Sequence, residues 1–197
     1  AISGNAIYQG TSFLIDRIGE RIAPEFVTVV DDGRMVGGLG SKPFDGEGLA
    51  TRRNVVVEAG ELQSYLCDCY AARKLGRTST ASAGRSVGGP PRVTTTNFVM
   101  EPGDASPEDL IRSVPRVLYV AELIGFGVNP TTGDYSRGAA GIWIEDGELA
   151  YPVEEITIAG NLRTMFAGIE AVANDLDLRG ATRAPTIKIG RMTVAGR

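Results

Sequence analysis

The sequence predicts an α+β fold, mainly antiparallel β-sheet and partly barrel-like, with about three short helices packed on it. Three observations predict it. Punctuation is dense, with 26 Gly and 10 Pro in 197 residues; the segments between are short and rich in Val, Ile and Thr; and only three stretches carry helix start and stop signals. With 43% hydrophobic and 22% charged residues, the chain has the composition of a single globular domain over residues 1–197. A domain of this size buries roughly 70% of the surface its unfolded chain exposes, so it needs neither disulfide nor metal to stay folded.

The strands follow from composition and turn chemistry. Phe26 to Val30 reads as a strand ended by Asp31-Asp32-Gly33. Arg53 to Glu58 and Glu61 to Cys67 flank Ala59-Gly60, and Gly141 to Glu145 and Glu148 to Val153 flank Asp146-Gly147. Both pairs predict hairpins, the second more strongly, because Asp-Gly accommodates the two positive φ angles of a type I′ turn. Within it, Ile142 and Ile144 alternate with Trp143 and Glu145, which predicts cover on both faces of the strand.

The helices follow from caps. Ser106-Pro107-Glu108-Asp109 is a capping box with proline at the first helical position, and Pro115 stops that helix. Asp68 caps a short helix ending at Leu75, with Arg73 and Lys74 near its negative end. The third is predicted from about Leu162 to Ala173, with Leu162, Met165, Phe166, Ile169 and Val172 on one face. Gly84 to Thr96 lacks periodicity and reads as a long loop or extended edge.

Composition also excludes chemistry. The chain contains no histidine, which removes the usual general base of serine and cysteine hydrolases and the commonest zinc ligand. A net charge of −4, with no basic run, argues against a nucleic-acid partner. The longest apolar run, Val117 to Val128, is interrupted by Glu122 and too short to span a bilayer. Cys67 and Cys69 have the wrong spacing for a C-x-x-C redox pair and lack further soft ligands, so they read as small buried residues at a strand-to-helix junction. The hydroxyl-rich Thr78 to Arg85 lacks the Gly-Lys-Ser/Thr ending of a phosphate loop and reads as a flexible surface loop. Gly125-Phe126-Gly127 lacks the third glycine of a dinucleotide fingerprint. Asp45, Glu47, Glu154 and Glu155 are plentiful carboxylates, but extended neighbours such as Glu154 and Glu155 point to opposite faces and form no catalytic dyad.

One stretch is too long and irregular to follow from generic fold requirements: Asn129 to Leu162, reading NPTTGDYSRGAAGIWIEDGELAYPVEEITIAGNL. With GTSFLIDRIG (Gly10 to Gly19), SKPFDGEGLATRR (Ser41 to Arg53), AARKLG (Ala71 to Gly76) and VANDL (Val172 to Leu176), it resembles the C-terminal domain of the TldD/PmbA family, often called modulators of DNA gyrase, and within it the PmbA (TldE) branch. The resemblance implies a longer parent chain, with an N-terminal domain before Ala1. It also implies a non-catalytic subunit of a cytoplasmic metallopeptidase that processes or degrades unstructured peptides. The implied partner is a TldD-like subunit or a second copy; charge and hydropathy add the expectation of no nucleic acid and no membrane. Members of the TldD branch resemble zinc peptidases with an H-E-x-x-x-H helix before the segment equivalent to Gly10 to Phe13 and a later Cys ligand. The residues before Gly10 here are AISGNAIYQ, and Asp177 to Pro185 contains no Cys, so no cofactor is expected in this chain and zinc would belong to the TldD-type partner. An active site completed upstream of Ala1, or a regulatory module acting on gyrase, remain as alternatives.

Gly133, Asp134, Tyr135, Ser136, Arg137 and Gly138 form the candidate peptide-contact or interface segment; no catalytic or metal-binding residue is assigned. Two readings stand side by side. In one, a Gly-bounded turn lets Asp134 bond nearby backbone N–H groups and Arg137 pair with a carboxylate. In the other, the small residues from Gly138 to Gly141 leave backbone exposed for an extended peptide to pair with.

Overall fold

The computed structural model describes residues 1–196. In chain order its elements are α1 (Gly4–Tyr8), β1 (Val29–Asp32), β2 (Arg53–Glu58), β3 (Glu61–Leu62), α2 (Cys69–Lys74), β4 (Ala83–Gly84), β5 (Arg92–Val93), β6 (Phe98–Met100) and α3 (Pro107–Arg112). There follow β7 (Arg116–Ile124), β8 (Asp134–Glu145), β9 (Glu148–Asn161), α4 (Leu162–Ala167), β10 (Ile169–Val172), β11 (Thr182–Arg183), β12 (Ile187–Ile189) and β13 (Thr193–Ala195). They fall into two compact units, Ala1–Glu101 with Leu176–Pro185, and Pro102–Asp175 with Thr186–Arg197.

The first unit is built on a five-stranded sheet ordered β11-β6-β1-β2-β3, antiparallel except where β11 runs parallel to β6. β1 and β2 bury Val29, Val30, Val56 and Val57, and Leu62 and Leu66 are almost fully enclosed. Asp45 organises the connection before β2. Its Oδ1 accepts from the backbone N–H groups of Glu47 (2.9 Å) and Leu49 (3.0 Å), and its Oδ2 from that of Ala83 (3.1 Å). Three backbone donors are thereby satisfied by one buried carboxylate. Asp68 caps α2 by accepting from Ala71 N–H at 2.7 Å, with Arg73 and Lys74 in the last turn.

The second unit is built on a four-stranded antiparallel sheet ordered β13-β9-β8-β7, beside a two-stranded β10-β12 pair. Asp146 (φ 50°) and Gly147 (φ 78°) join β8 to β9, both in the left-handed region that a type I′ turn requires. The turn at Ala59-Gly60 has the same signature, with φ of 48° and 80°. Ala139, Ile156 and Ile158 form the buried centre of the unit, with Leu118, Val120, Tyr135, Val153 and Met192 packed against them. The predicted capping box closes α3: Asp109 N–H donates to Ser106 Oγ (3.1 Å) and Ser106 N–H to Asp109 Oδ2 (3.3 Å). Ile142 and Trp143 are partly buried and Ile144 is 1% exposed, so both faces of β8 are covered there.

The α+β class stands, with short helices on mainly antiparallel sheets, whereas none of the four sheets among the described residues closes into a barrel. Among the described residues four helices occur rather than about three, the addition being α1. The third predicted helix stops at Ala167, and Ile169–Val172 is strand β10. The cause is a bulge: β10 pairs with β12 through Ile169↔Ile189 and Val172↔Ile187, with a register shift after Ile169. Two residues three apart therefore both point inward, which in sequence imitates a helical stripe. The first strand begins at Val29, because Val27 N–H donates to Pro24 C=O in a turn. Nor does Thr78 to Arg85 form a flexible surface loop. Thr80 N–H and hydroxyl and the Ser79 hydroxyl all donate to Cys67 C=O, Asn54 donates to Thr80 C=O, and Ser82 and Ala83 are fully buried.

Candidate functional site

The conspicuous stretch from Asn129 to Leu162 closes on itself at one end of the β8–β9 ribbon. Asn129 Oδ1 accepts from Thr131 and Thr132 N–H, Gly133 N–H donates to Asn129 C=O, and Asn129 N–H donates to Asp134 C=O. Asn161, at the far end of β9, donates from Nδ2 to Thr132 C=O and to Asp134 Oδ1, both at 3.1 Å. Its Oδ1 accepts from Arg163 N–H and so caps α4. Gly133 has φ +84°, a backbone that favours glycine, and a Cβ there would stand 3.1 Å from Asn161 Oδ1, so Asn161 would have to give by a few tenths of an ångström. Asp134 Oδ2 accepts from the Thr132 hydroxyl at 2.6 Å. That bond, then the one from Asn161, holds the Asp134 carboxyl below the ordinary carboxylate range and keeps it anionic.

These contacts revise both expectations for the segment. Asp134 bonds side chains rather than backbone N–H groups. Arg137 donates to Leu123 C=O (3.2 Å) rather than to a carboxylate, and its Nε is buried without a partner. The backbone from Asp134 to Gly138 is not open to a peptide. β9 pairs along one side, and on the other Ser136 N–H donates to Gly127 C=O at 2.7 Å and Gly138 lies opposite Ile124. Tyr135 packs on the buried centre of the unit, while Asp134 and Ser136 are exposed. The structure brings the six residues together with Asn129, Thr132 and Asn161, which sequence reasoning did not single out as contacts. Their positions at the two ends of the irregular stretch were the available signal.

Among the described residues the two cysteines belong to no cluster of three or more metal-ligating side chains. Cys67 is buried, with its N–H on Thr80 Oγ1, and burial pushes its thiol up, the neighbouring Asp68 adding to this. Cys69 opens α2 with its N–H on Glu47 Oε2, and the hydrogen bond to Glu47 likewise raises its thiol. Both thiols therefore stay protonated at neutral pH where no metal is bound. Asp45 and Asp68 are already committed to backbone N–H groups. Among the described residues no three His, Cys, Asp or Glu side chains converge as a catalytic zinc requires. The donor set of the described residues therefore does not fit such an ion, and what the candidate site supplies is a hydrogen-bonded, anionic clasp.

Residues 1–196 match the PmbA/TldA metallopeptidase C-terminal domain. The chain is 40% identical over 196 residues to metalloprotease PmbA of Escherichia coli O157:H7, and 39% identical over 197 residues to a metalloprotease PmbA homolog of Haemophilus influenzae. It covers 100% of its own length in both and 42% of theirs, so it spans less than half of these relatives. Among solved structures, TldE from Thermococcus kodakarensis superposes with a TM-score of 0.88 at 29% identity, covering 99% of this chain and 45% of that one. A Thermotoga maritima protein described as a modulator of a DNA gyrase gives a TM-score of 0.90 at 32% identity, covering 98% and 45%. A sequence match running from the first residue to residue 196, on a fold that these structures share, establishes that the chain belongs to the PmbA/TldA metallopeptidase C-terminal domain family.

Proposed function

We propose that this chain is part of a PmbA/TldE-type, non-catalytic subunit of a cytoplasmic two-subunit metallopeptidase that processes or degrades unstructured peptides. A TldD-like partner supplies the zinc and the hydrolytic residues, and this subunit helps enclose the substrate. One observation carries the reading: 197 residues without a single histidine, in a family named for metallopeptidase activity. Catalytic zinc is held by three protein ligands, in most sites including His, and neither the sequence nor the geometry of the described residues offers that set. The likeness to TldE points the same way.

The test is reconstitution. The purified protein is assayed alone and with a TldD-type protein on an unstructured peptide, with and without a chelator. The reading expects hydrolysis only in the mixture, abolished by the chelator, and co-elution of the two proteins. Chelator-sensitive hydrolysis by this protein alone would instead support a site completed outside this chain. The description of one neighbour as a modulator of a DNA gyrase favours a second reading, contact with gyrase or DNA. Strongly salt-dependent DNA binding would support it, and a net charge of −4 opposes it.

A further inference from the structure

The second unit contains a cleft of about 440 Å³, within the range of ordinary ligand sites, bounded by the sheet, by α3 and by the segment from Thr186 to Met192. Arg116, Leu118 and Val120 alternate along β7 and so share one face, on which Trp143 of β8 stands directly opposite Leu118. On that face Leu118 and Val120 pack against the buried Ala139, Ile156 and Ile158. The apolar row therefore ends in a cation. From Arg116 to Val120 it runs about 13 Å, at roughly 3.3 Å per residue. Leu110 and Ile111 of α3 and Ile187 and Ile189 of β12 extend the apolar lining, and all four are half-buried.

The polar side chains of the lining narrow what it can hold. The Trp143 ring nitrogen donates to Glu145 at 3.1 Å, and the Thr186 hydroxyl donates to Asp175 at 2.7 Å. Lys188, between Ile187 and Ile189, reaches Glu170 at 3.0 Å, and Tyr119 lies on the other face of β7. That leaves Arg116 and Arg191, both exposed and without an ion pair among the described residues, and no carboxylate lines the cleft. A peptide, sugar or nucleotide would bury amides or hydroxyls with few side-chain partners, which is costly; a ligand with one anionic head and an otherwise apolar body would not. We infer that the cleft binds an amphipathic monocarboxylate of the fatty-acid type. Its carboxylate sits on Arg116, in the field of Arg191, and its chain lies along Leu118 and Val120 against Trp143. An extended decanoate matches the length of that row. The inference goes beyond the proposed function and does not depend on it.

Decanoate is titrated into the purified protein below the concentration at which it forms micelles. Binding is read by the emission of Trp143, the only tryptophan of the chain, and by titration calorimetry. Saturable binding of one decanoate per chain, with a shift of the emission, is expected. Replacing decanoate by decan-1-ol removes the head charge, replacing it by butyrate removes most of the chain, and Arg116→Glu removes the cation; each is expected to weaken binding roughly tenfold or more. Decyltrimethylammonium is expected not to bind. Arg116 is exposed, so an unchanged melting temperature checks the variant's fold, and the ligand comparisons stand without the variant. No saturable binding, decan-1-ol or decyltrimethylammonium binding as tightly as decanoate, or an unchanged affinity in the folded Arg116→Glu variant would overturn the inference. Displacement of decanoate by an acetylated, amidated Val-Leu hexapeptide of equal or higher affinity would overturn it too, and would assign the cleft to a peptide.

Discussion

Replacing Asp45 by Ala should be among the most damaging single changes outside the apolar core. The carboxylate is 4% exposed and accepts from three backbone N–H groups, at 2.9, 3.0 and 3.1 Å. A hydrogen bond to a charged group contributes about 1.5 to 3 kcal/mol, and such terms do not add in full. Glu47 and Leu49 lie where water can replace the lost acceptor. Ala83 is fully buried, so its N–H is left without one. The expected loss is roughly 3 to 4 kcal/mol, mostly from Ala83 and the freed turn. Asn at the same position keeps one acceptor oxygen but turns an NH₂ group toward at least one of the three donors, and should cost about 1 to 3 kcal/mol. Urea unfolding at pH 7 reads both losses as a fall in midpoint at constant slope, and amide exchange at Ala83 should accelerate. An Asp45→Ala protein within about 0.5 kcal/mol of the parent, or an Asn variant indistinguishable from it, would refute this account of the turn.

Asp31 predicts a pH dependence. It is 1% exposed, Oδ1 accepts from Thr96 N–H at 2.6 Å, Oδ2 has no well-formed hydrogen bond, and burial pushes its carboxyl up against the opposing effect of Thr96. A group with a raised folded pKa stabilises fully below its unfolded pKa, and that contribution is lost as pH rises through the folded pKa. Asp31→Asn, whose amide can still face the Thr96 hydroxyl without carrying a charge, should therefore gain stability relative to the parent as pH rises from about 4 toward 7. A difference constant across that range in thermal melts would contradict it. Trp143→Ala removes a partly buried ring whose Nε1 donates to Glu145 at 3.1 Å, and should cost about 2 to 4 kcal/mol, with an unchanged melting temperature as the contrary result.

Elements specified by local chemistry were legible in the sequence. The capping box at Ser106, the Asp68 cap and the Asp146-Gly147 turn each depend on residues within four positions, and all three occur as read. What depended on partners distant in sequence was not. Bulge-driven burial of Ile169 and Val172 imitated a helix, and the tethering of Thr78 to Ala83 required Cys67 and Asn54, which no local pattern reveals. The segment from Gly133 to Gly138 was picked out correctly as unusual, but its partner Asn161 stands 27 residues beyond Asp134 and decides that the turn is a closed clasp rather than an open edge. The outer strands of that sheet are β7 and β13, which only the strand order determines.

The central claim, that hydrolysis belongs to a partner, is tested most directly by metal content and activity measured on one sample. The purified protein, dialysed at neutral pH, is analysed for zinc and assayed for peptide hydrolysis in the same preparation. The account predicts well under one zinc per chain and no hydrolysis until a TldD-type protein is added. About one zinc per chain, accompanied by hydrolysis that a chelator abolishes in the absence of any partner, would contradict it.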